Sequence, residues 1–201
     1  MKMKSHILWI TQTAMLLGLT IATQYYLTSI LSFNPFLSQL VVGSLVNLFL
    51  IISTMTCGFF SGLSISTIAP VLSLFIGRLP HIWMMPFIAL GNISIVFIFW
   101  LICRKKVFDF NFSINWIIAS VTGALLKFGV LWVGVTQIFV KFFLINDGNL
   151  QPPQIERMSE IISLNYSFPQ IITAFSGCIL GYAIYPVLKK AVIKKLINAE
   201  N

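Results

Sequence analysis

Charge is scarce in this sequence: Asp, Glu, Lys and Arg make up 9% of its 201 residues, against roughly 25% in a soluble domain. A chain so poor in charge cannot cover itself with groups that face water. With 58% hydrophobic residues and a mean hydropathy of +0.93, it reads as an integral membrane protein. Acidic residues are scarcer still, five against thirteen basic ones, and none of the five lies inside an apolar run. Proton pumps and cation antiporters usually need an intramembrane carboxylate to carry the ion, so this lack weakens both readings.

The reactive side chains are few as well. Both histidines, His6 and His81, fall at membrane edges, with no HExxH or similar metal spacing. The three cysteines, Cys57, Cys103 and Cys178, lie in or beside apolar segments without a CxxC pair, which makes them small packing residues. No acid, base and nucleophile set can be assembled, and no Walker A motif is present. The expectation is a protein that is not an enzyme and holds no metal or cofactor.

What the sequence has in abundance is apolar runs. Broken at turn and charged residues, they give six candidate transmembrane helices at about 7–31, 38–55, 58–77, 82–103, 112–144 and 166–188. The predicted fold class is an all-α membrane protein, residues 1–201 forming a single six-helix transmembrane domain. The breaks carry Asn34-Pro35, Cys57-Gly58, Gly77-Arg78-Leu79-Pro80 and Arg104-Lys105-Lys106. The last break, 146–165, reads as a long polar loop with Asp147, Glu156, Arg157 and Glu160. The first run follows a basic start, as in a signal peptide, but has no convincing cleavage site, so a retained first helix is expected.

The net charge of +8 raises nucleic acid as a partner, yet the basic residues sit at the ends of apolar runs and not on one solvated face. Nucleic acid is not expected, and the basic residues instead report topology. If six spans alternate, Lys2, Lys4, Arg104, Lys105, Lys106, Lys189, Lys190, Lys194 and Lys195 share one side, nine of the thirteen. By the positive-inside rule both termini are cytoplasmic. The other side keeps Arg78 and Arg157, and an odd number of spans would split the basic clusters.

Lys127 in GALLKFGVLW stands near mid-membrane, where a lysine costs about 2.5–3.5 kcal/mol on insertion scales. At helical spacing Gly123, Lys127, Gly134, Gln137 and Lys141 fall on one face of the fifth span, which should point inward. Lys127 then either pairs with groups of the bundle or faces a ligand. Asn92 lies at about the same depth, as does Asn47, and each amide is either interhelical glue or part of a cavity. Trp83 and Tyr166 sit at interface height, as belt anchors or at the mouth of a pocket. In the third span Ser61, Ser64, Ser66 and Ser73, with Gly58, Gly62 and Ala69, make a surface for close packing, and Pro70 frees a backbone carbonyl there.

The first span reads TQTAMLLGLTIATQ, with Ala14, Gly18 and Ala22 recurring every four residues as a flat strip. Just inside a basic N terminus, this resembles the alanine-x-x-x-alanine strip of S components of energy-coupling factor (ECF) vitamin transporters. IAPVLSLFIGRLPHIWMMPFIALGN at 68–92 and GALLKFG at 123–129 are similar to segments of that family's general group. The resemblance implies a substrate-binding subunit in a bacterial plasma membrane that captures a small, vitamin-like ligand from outside. It implies docking through Ala14 and Gly18, with Ala22 either extending the strip or packing within the bundle, on a transmembrane T subunit driven by two cytoplasmic ATPase subunits. Gly18 departs from the family's alanine. It further implies a ligand site toward the outer side, where this chain offers Trp83, Asn92, Lys127, Gln137, Tyr166 and Gln170, with Lys127 as counter-charge to an anionic ligand. The alternatives are a self-sufficient secondary transporter or channel, an intramembrane enzyme, and a membrane scaffold subunit with no ligand.

Overall fold

In the computed structural model the described residues are 2–77, 79, 81–108, 110–146 and 150–200, and the described side chains are those between residues 6 and 190. Every regular element among them is helical. In chain order the longer α-helices are α1 (Lys2–Ala22), α2 (Pro35–Cys57), α3 (Phe59–Phe75), α4 (Met85–Phe99), α5 (Phe112–Leu131), α6 (Pro152–Asn165) and α7 (Phe168–Glu200). Three of them run on without a break into π-helical turns: α1 through Thr23–Leu27, α4 through Trp100–Arg104 and α5 through Trp132–Leu144. Five stretches are long and apolar enough to cross a membrane, and α3 is a shorter apolar helix between them. The protein is a multi-pass all-α membrane bundle.

The helix boundaries follow from local chemistry. Asn34 caps α2, its side-chain oxygen accepting from Leu37 N–H at 3.0 Å, with Pro35 in the first turn where its missing N–H costs nothing. Gly58, at φ +105°, separates α2 from α3, a conformation open to glycine and strained for any other residue. Arg78 and Asp147, two charges that entered the topology reading, lie outside the described residues, as do the side chains of Lys2, Lys4, Lys194 and Lys195.

One expectation needs correcting. The stretch 146–165 is not a plain polar loop, because Pro152–Asn165 within it forms α6. The helix is amphipathic: Ile155, Met158 and Ile162 pack on Met84, Leu131, Val140 and Leu144, while Glu156, Arg157 and Glu160 stay outside. Its polar residues suit an amphipathic surface helix as well as a loop, which is why composition alone misplaces it.

Helix association in lipid depends on close packing and interhelical polar contacts, since lipid tails are as apolar as the helices themselves. Both are present. A Cβ placed on Gly177 of α7 would lie 2.9 Å from the Ser44 carbonyl oxygen and 3.0 Å from Leu48 N of α2, so the two backbones touch. Ser61 of α3 meets Thr13 of α1 at 2.7 Å and Ser53 of α2 at 2.6 Å, a hydroxyl cluster tying three helices. Ser66, Ala69 and Ser73 are buried on the same side of α3, as the packing surface requires. Ser64 is turned away and bonds the Phe60 carbonyl of its own helix. At the end of the bundle that carries the N terminus, Trp9 donates to Cys57 O at 2.9 Å, and Arg104 donates to Thr54 O and Met55 O at 3.1 and 2.8 Å.

Two apolar clusters fill the interior. One, built on Leu50, Ile51, Ile95, Phe99 and Trp116, occupies the half nearer the N-terminal end. The other, built on Met84, Leu131, Val135, Phe139 and Leu144, lies toward the opposite end beneath α6. Cys103 and Cys178 are buried in the first cluster, and all three cysteines are free thiols. Between the clusters runs a polar layer.

A buried lysine and two asparagines at a membrane-depth cavity

The polar layer is centred on Lys127, which is 4% exposed. Its Nζ donates to Asn47 Oδ1 of α2 at 2.5 Å and to Asn92 Oδ1 of α4 at 2.8 Å. Three helices that carry no opposite charges at this depth thus converge on one cation through amide dipoles. Charge-assisted hydrogen bonds of this kind are about twice as strong as neutral ones and offset part of the insertion cost of the lysine. Asn47 extends the layer, donating through Nδ2 to Thr173 Oγ1 of α7 at 3.5 Å. The Thr173 hydroxyl in turn donates to Gln170 O at 3.1 Å. The two asparagines are therefore glue and cavity wall at once.

A cavity of about 90 Å³ opens above this layer, toward the end of the bundle away from the N terminus. Its floor is Lys127, Asn47 and Asn92, and its walls include Gln24, Ser73 and Gln170. Ser73 donates to Gln24 Oε1 at 2.9 Å, joining α3 to the π turn that follows α1. Pro70 also lines the cavity, one turn from Ser73, where its ring leaves the Ser66 carbonyl without its helical donor. Tyr166, at the junction of α6 and α7, and Gln39, in the first turns of α2, line it near the mouth. Among the described residues no Asp or Glu lines the cavity, so its one formal charge is positive.

Of the six ligand-site residues expected from sequence, Asn92, Lys127, Tyr166 and Gln170 are brought together here. Trp83 and Gln137 do not line this cavity. Trp83 is half exposed and stacks on Phe143, with ring centroids 5.2 Å apart and planes at 23°. Gln137 lies in the π-helical stretch Trp132–Leu144, its Nε2 3.4 Å from Thr136 Oγ1. The i→i+5 bonding of that stretch takes about one more residue per turn than an α-helix. The buried positions accordingly run Leu131, then Gly134, Val135 and Thr136, then Phe139 and Val140, then Leu144. The inward face thereby rotates away from Gln137 and Lys141, and Lys141 is exposed. Gly123 and Gly134 stay inside, packed against Ile95 and Phe87.

Gln24, Gln39 and Ser73 are cavity residues that sequence reasoning leaves out. Each is a neutral polar residue within a span, and such residues usually bond within their own bundle. The only signal was their depth in apolar runs, which does not separate cavity from contact.

The strip expected to dock a partner lies on the outside of α1. Ala14 and Gly18 are exposed, Ala22 is half-buried, and a Cβ on Gly18 would meet no atom within 4 Å. The opposite face of α1 holds the bundle through Thr13 and Thr20, and the π turn that follows it through Gln24, all buried. Comparison with protein families, curated proteins and solved structures gives no match to this chain.

Proposed function

We propose that the protein is a membrane-embedded binding subunit of the ECF S-component type, which captures a small anionic, vitamin-like ligand for uptake driven by partner subunits. The observation that carries the reading is a desolvated lysine on the floor of an open cavity, held by two amides and, among the described residues, facing no carboxylate. Such a lysine offers an unspent positive charge to a carboxylate or phosphate. The amides of Asn47, Asn92, Gln24 and Gln170 supply further donors and acceptors for orienting it. At about 90 Å³ the cavity accepts the charged end of a ligand, with the remainder beneath Tyr166 and the adjoining loops.

In this reading both termini are cytoplasmic, the cavity opens outward, and the membrane is a bacterial plasma membrane. The exposed, small-residue strip at Ala14 and Gly18 serves a transmembrane T subunit coupled to two ATPases, since it lets another helix approach α1 closely. The decisive experiment is a thermal-shift screen of the detergent-purified chain against vitamins and their precursors. A ligand at 100 times its Kd adds about 2.7 kcal/mol to stability. A stabilising anionic ligand whose effect disappears in Lys127→Met supports the reading. Silence across the panel from folded protein, together with a stable complex with another membrane protein, would replace it with a scaffold role.

A further inference from the structure

A second cavity, of about 390 Å³, lies at the opposite end of the bundle, the end that carries the N terminus. Arg104, Lys106 and Lys189 converge on it from the end of α4, the following loop and α7, with Phe112 and Tyr185 stacked 5.7 Å apart in its wall. The N terminus of α5 also opens here: Phe112 is its first residue, and Asn111 makes no side-chain cap to its free amides. A helix N terminus and a group of cations both favour an anion.

One more group points to a ligand. Asn115, 2% exposed, lines the same cavity. Its Nδ2 donates to Phe108 O and Phe110 O at 3.3 and 3.1 Å, but its buried Oδ1 has no partner. A buried acceptor left unbonded costs about 1–3 kcal/mol, and a bound donor would relieve it. An occupant that combines an anion with a hydrogen-bond donor would answer both features.

The surroundings are those of a lipid and not of a soluble ion. Val107, Phe108 and Phe110 expose apolar side chains in the loop beside the cavity. Phe112 also stacks on Tyr182, 6.1 Å away, and Tyr182 lines an apolar groove of about 350 Å³ between α5 and α7. The cavity and the groove thus share an aromatic wall. Basic pockets between transmembrane helices are a known way of holding anionic head groups.

We propose that this cavity holds the head group of an anionic phospholipid bearing a hydroxyl, with the phosphate against Arg104, Lys106 and Lys189 and the hydroxyl donating to Asn115 Oδ1. The site stands apart from the transport reading, and its test does not depend on that reading. The delipidated, detergent-solubilised chain is titrated with phosphatidylglycerol, phosphatidylmethanol, phosphatidylcholine and free glycerol phosphate, with binding read by native mass spectrometry. Phosphatidylglycerol should bind about tenfold or more tightly than phosphatidylcholine. It should also exceed phosphatidylmethanol, which keeps the charge and lacks the hydroxyl. Near-surface basic residues contribute about fivefold each to anionic-lipid binding, so Lys106→Gln with Lys189→Gln should erase the preference. Lys190→Gln, which does not line the cavity, should keep it. Equal binding of phosphatidylglycerol and phosphatidylcholine, or a preference that survives the double substitution, would overturn the site. Free glycerol phosphate binding as tightly as the lipid would replace the lipid with a soluble phosphate ester. Equal binding of phosphatidylmethanol would overturn the role given to Asn115.

Discussion

Gly177 and Asn47 face each other so closely that a Cβ on the glycine would stand 2.6 Å from the Cβ of the asparagine. A close approach of α7 to α2 therefore lies at the residue whose amide oxygen accepts from Lys127. Packing and the polar layer are set by one contact.

Gly177→Ala is accordingly expected to cost about 1–3 kcal/mol, the usual range for overpacking. The obstacle includes the backbone of α2 at Ser44 and Leu48, which cannot swing aside as a side chain would. Because the displaced residue is Asn47, ligand affinity should fall with stability. Thermal unfolding in detergent and a binding titration check the two effects. Unchanged melting would mean that α7 rides off α2 without resistance.

The bonds of Lys127 to Asn47 and Asn92 should be energetically coupled. Asn92→Leu removes one charge-assisted acceptor and is expected to destabilise by about 1–3 kcal/mol. In a Lys127→Met background the same change should cost clearly less, with a coupling of about 0.5–3 kcal/mol. A double-mutant cycle on reversible unfolding measures it. Strict additivity would show that the 2.8 Å contact carries no energy.

The hydroxyl cluster of Thr13, Ser53 and Ser61 predicts a contrast in size. Ser61→Ala loses two hydrogen bonds of a kind that averages about 0.6 kcal/mol in membrane proteins, so its effect should be small. Ser61→Leu must force α1, α2 and α3 apart at a fully buried position and should lower the melting temperature well beyond the alanine variant. Equal melting temperatures for the two would contradict the tight three-helix contact.

Gly18→Leu separates docking from folding. No atom lies within 4 Å of the new Cβ, and leucine favours the helix over glycine by roughly 0.8–1 kcal/mol, so the chain should fold at least as well as the parent. If the strip docks a transmembrane partner as proposed, co-purification of that partner should fall sharply while ligand binding is kept. Undiminished co-purification would move the partner's contact off this strip.

Trp83→Ala tests the division of the expected site. Its ring stacks on Phe143 away from the cavity lining, so ligand affinity should stay within about twofold while the melting temperature drops modestly, aromatic pairs being worth about 0.5–1.5 kcal/mol. A tenfold loss of affinity would place Trp83 on the ligand's path.

The helical bundle was legible because apolar runs of about 20 residues, punctuated by Asn34-Pro35, Gly58 and the basic cluster at 104–106, have few other solutions in lipid. The depth match of Lys127 with Asn92 and Asn47 was legible for the same reason, as depth follows from counting along helices. Rotation was not. The π-helical stretch after Leu131 changes the period, so a face drawn at constant spacing carries Gln137 and Lys141 to the wrong side while Gly123 and Gly134 stay in register. Residues such as Gln24 and Ser73 join the cavity only because the π turn at Thr23–Leu27 and the neighbourhood of Pro70 meet in space. No one-dimensional pattern encodes that meeting.

Arg104 has two duties that pull against each other in any attempt to re-engineer insertion. As one of three consecutive basic residues it belongs to the charge bias from which cytoplasmic termini are proposed, and as a donor to Thr54 O and Met55 O it bonds the last carbonyls of α2 next to the Gly58 break. Stripping the cluster to reverse topology would uncap a helix as well as remove a signal, and a misfolded product would pass for an inverted one. Neutralising Lys105 and Lys106 while sparing Arg104 keeps the topological experiment interpretable.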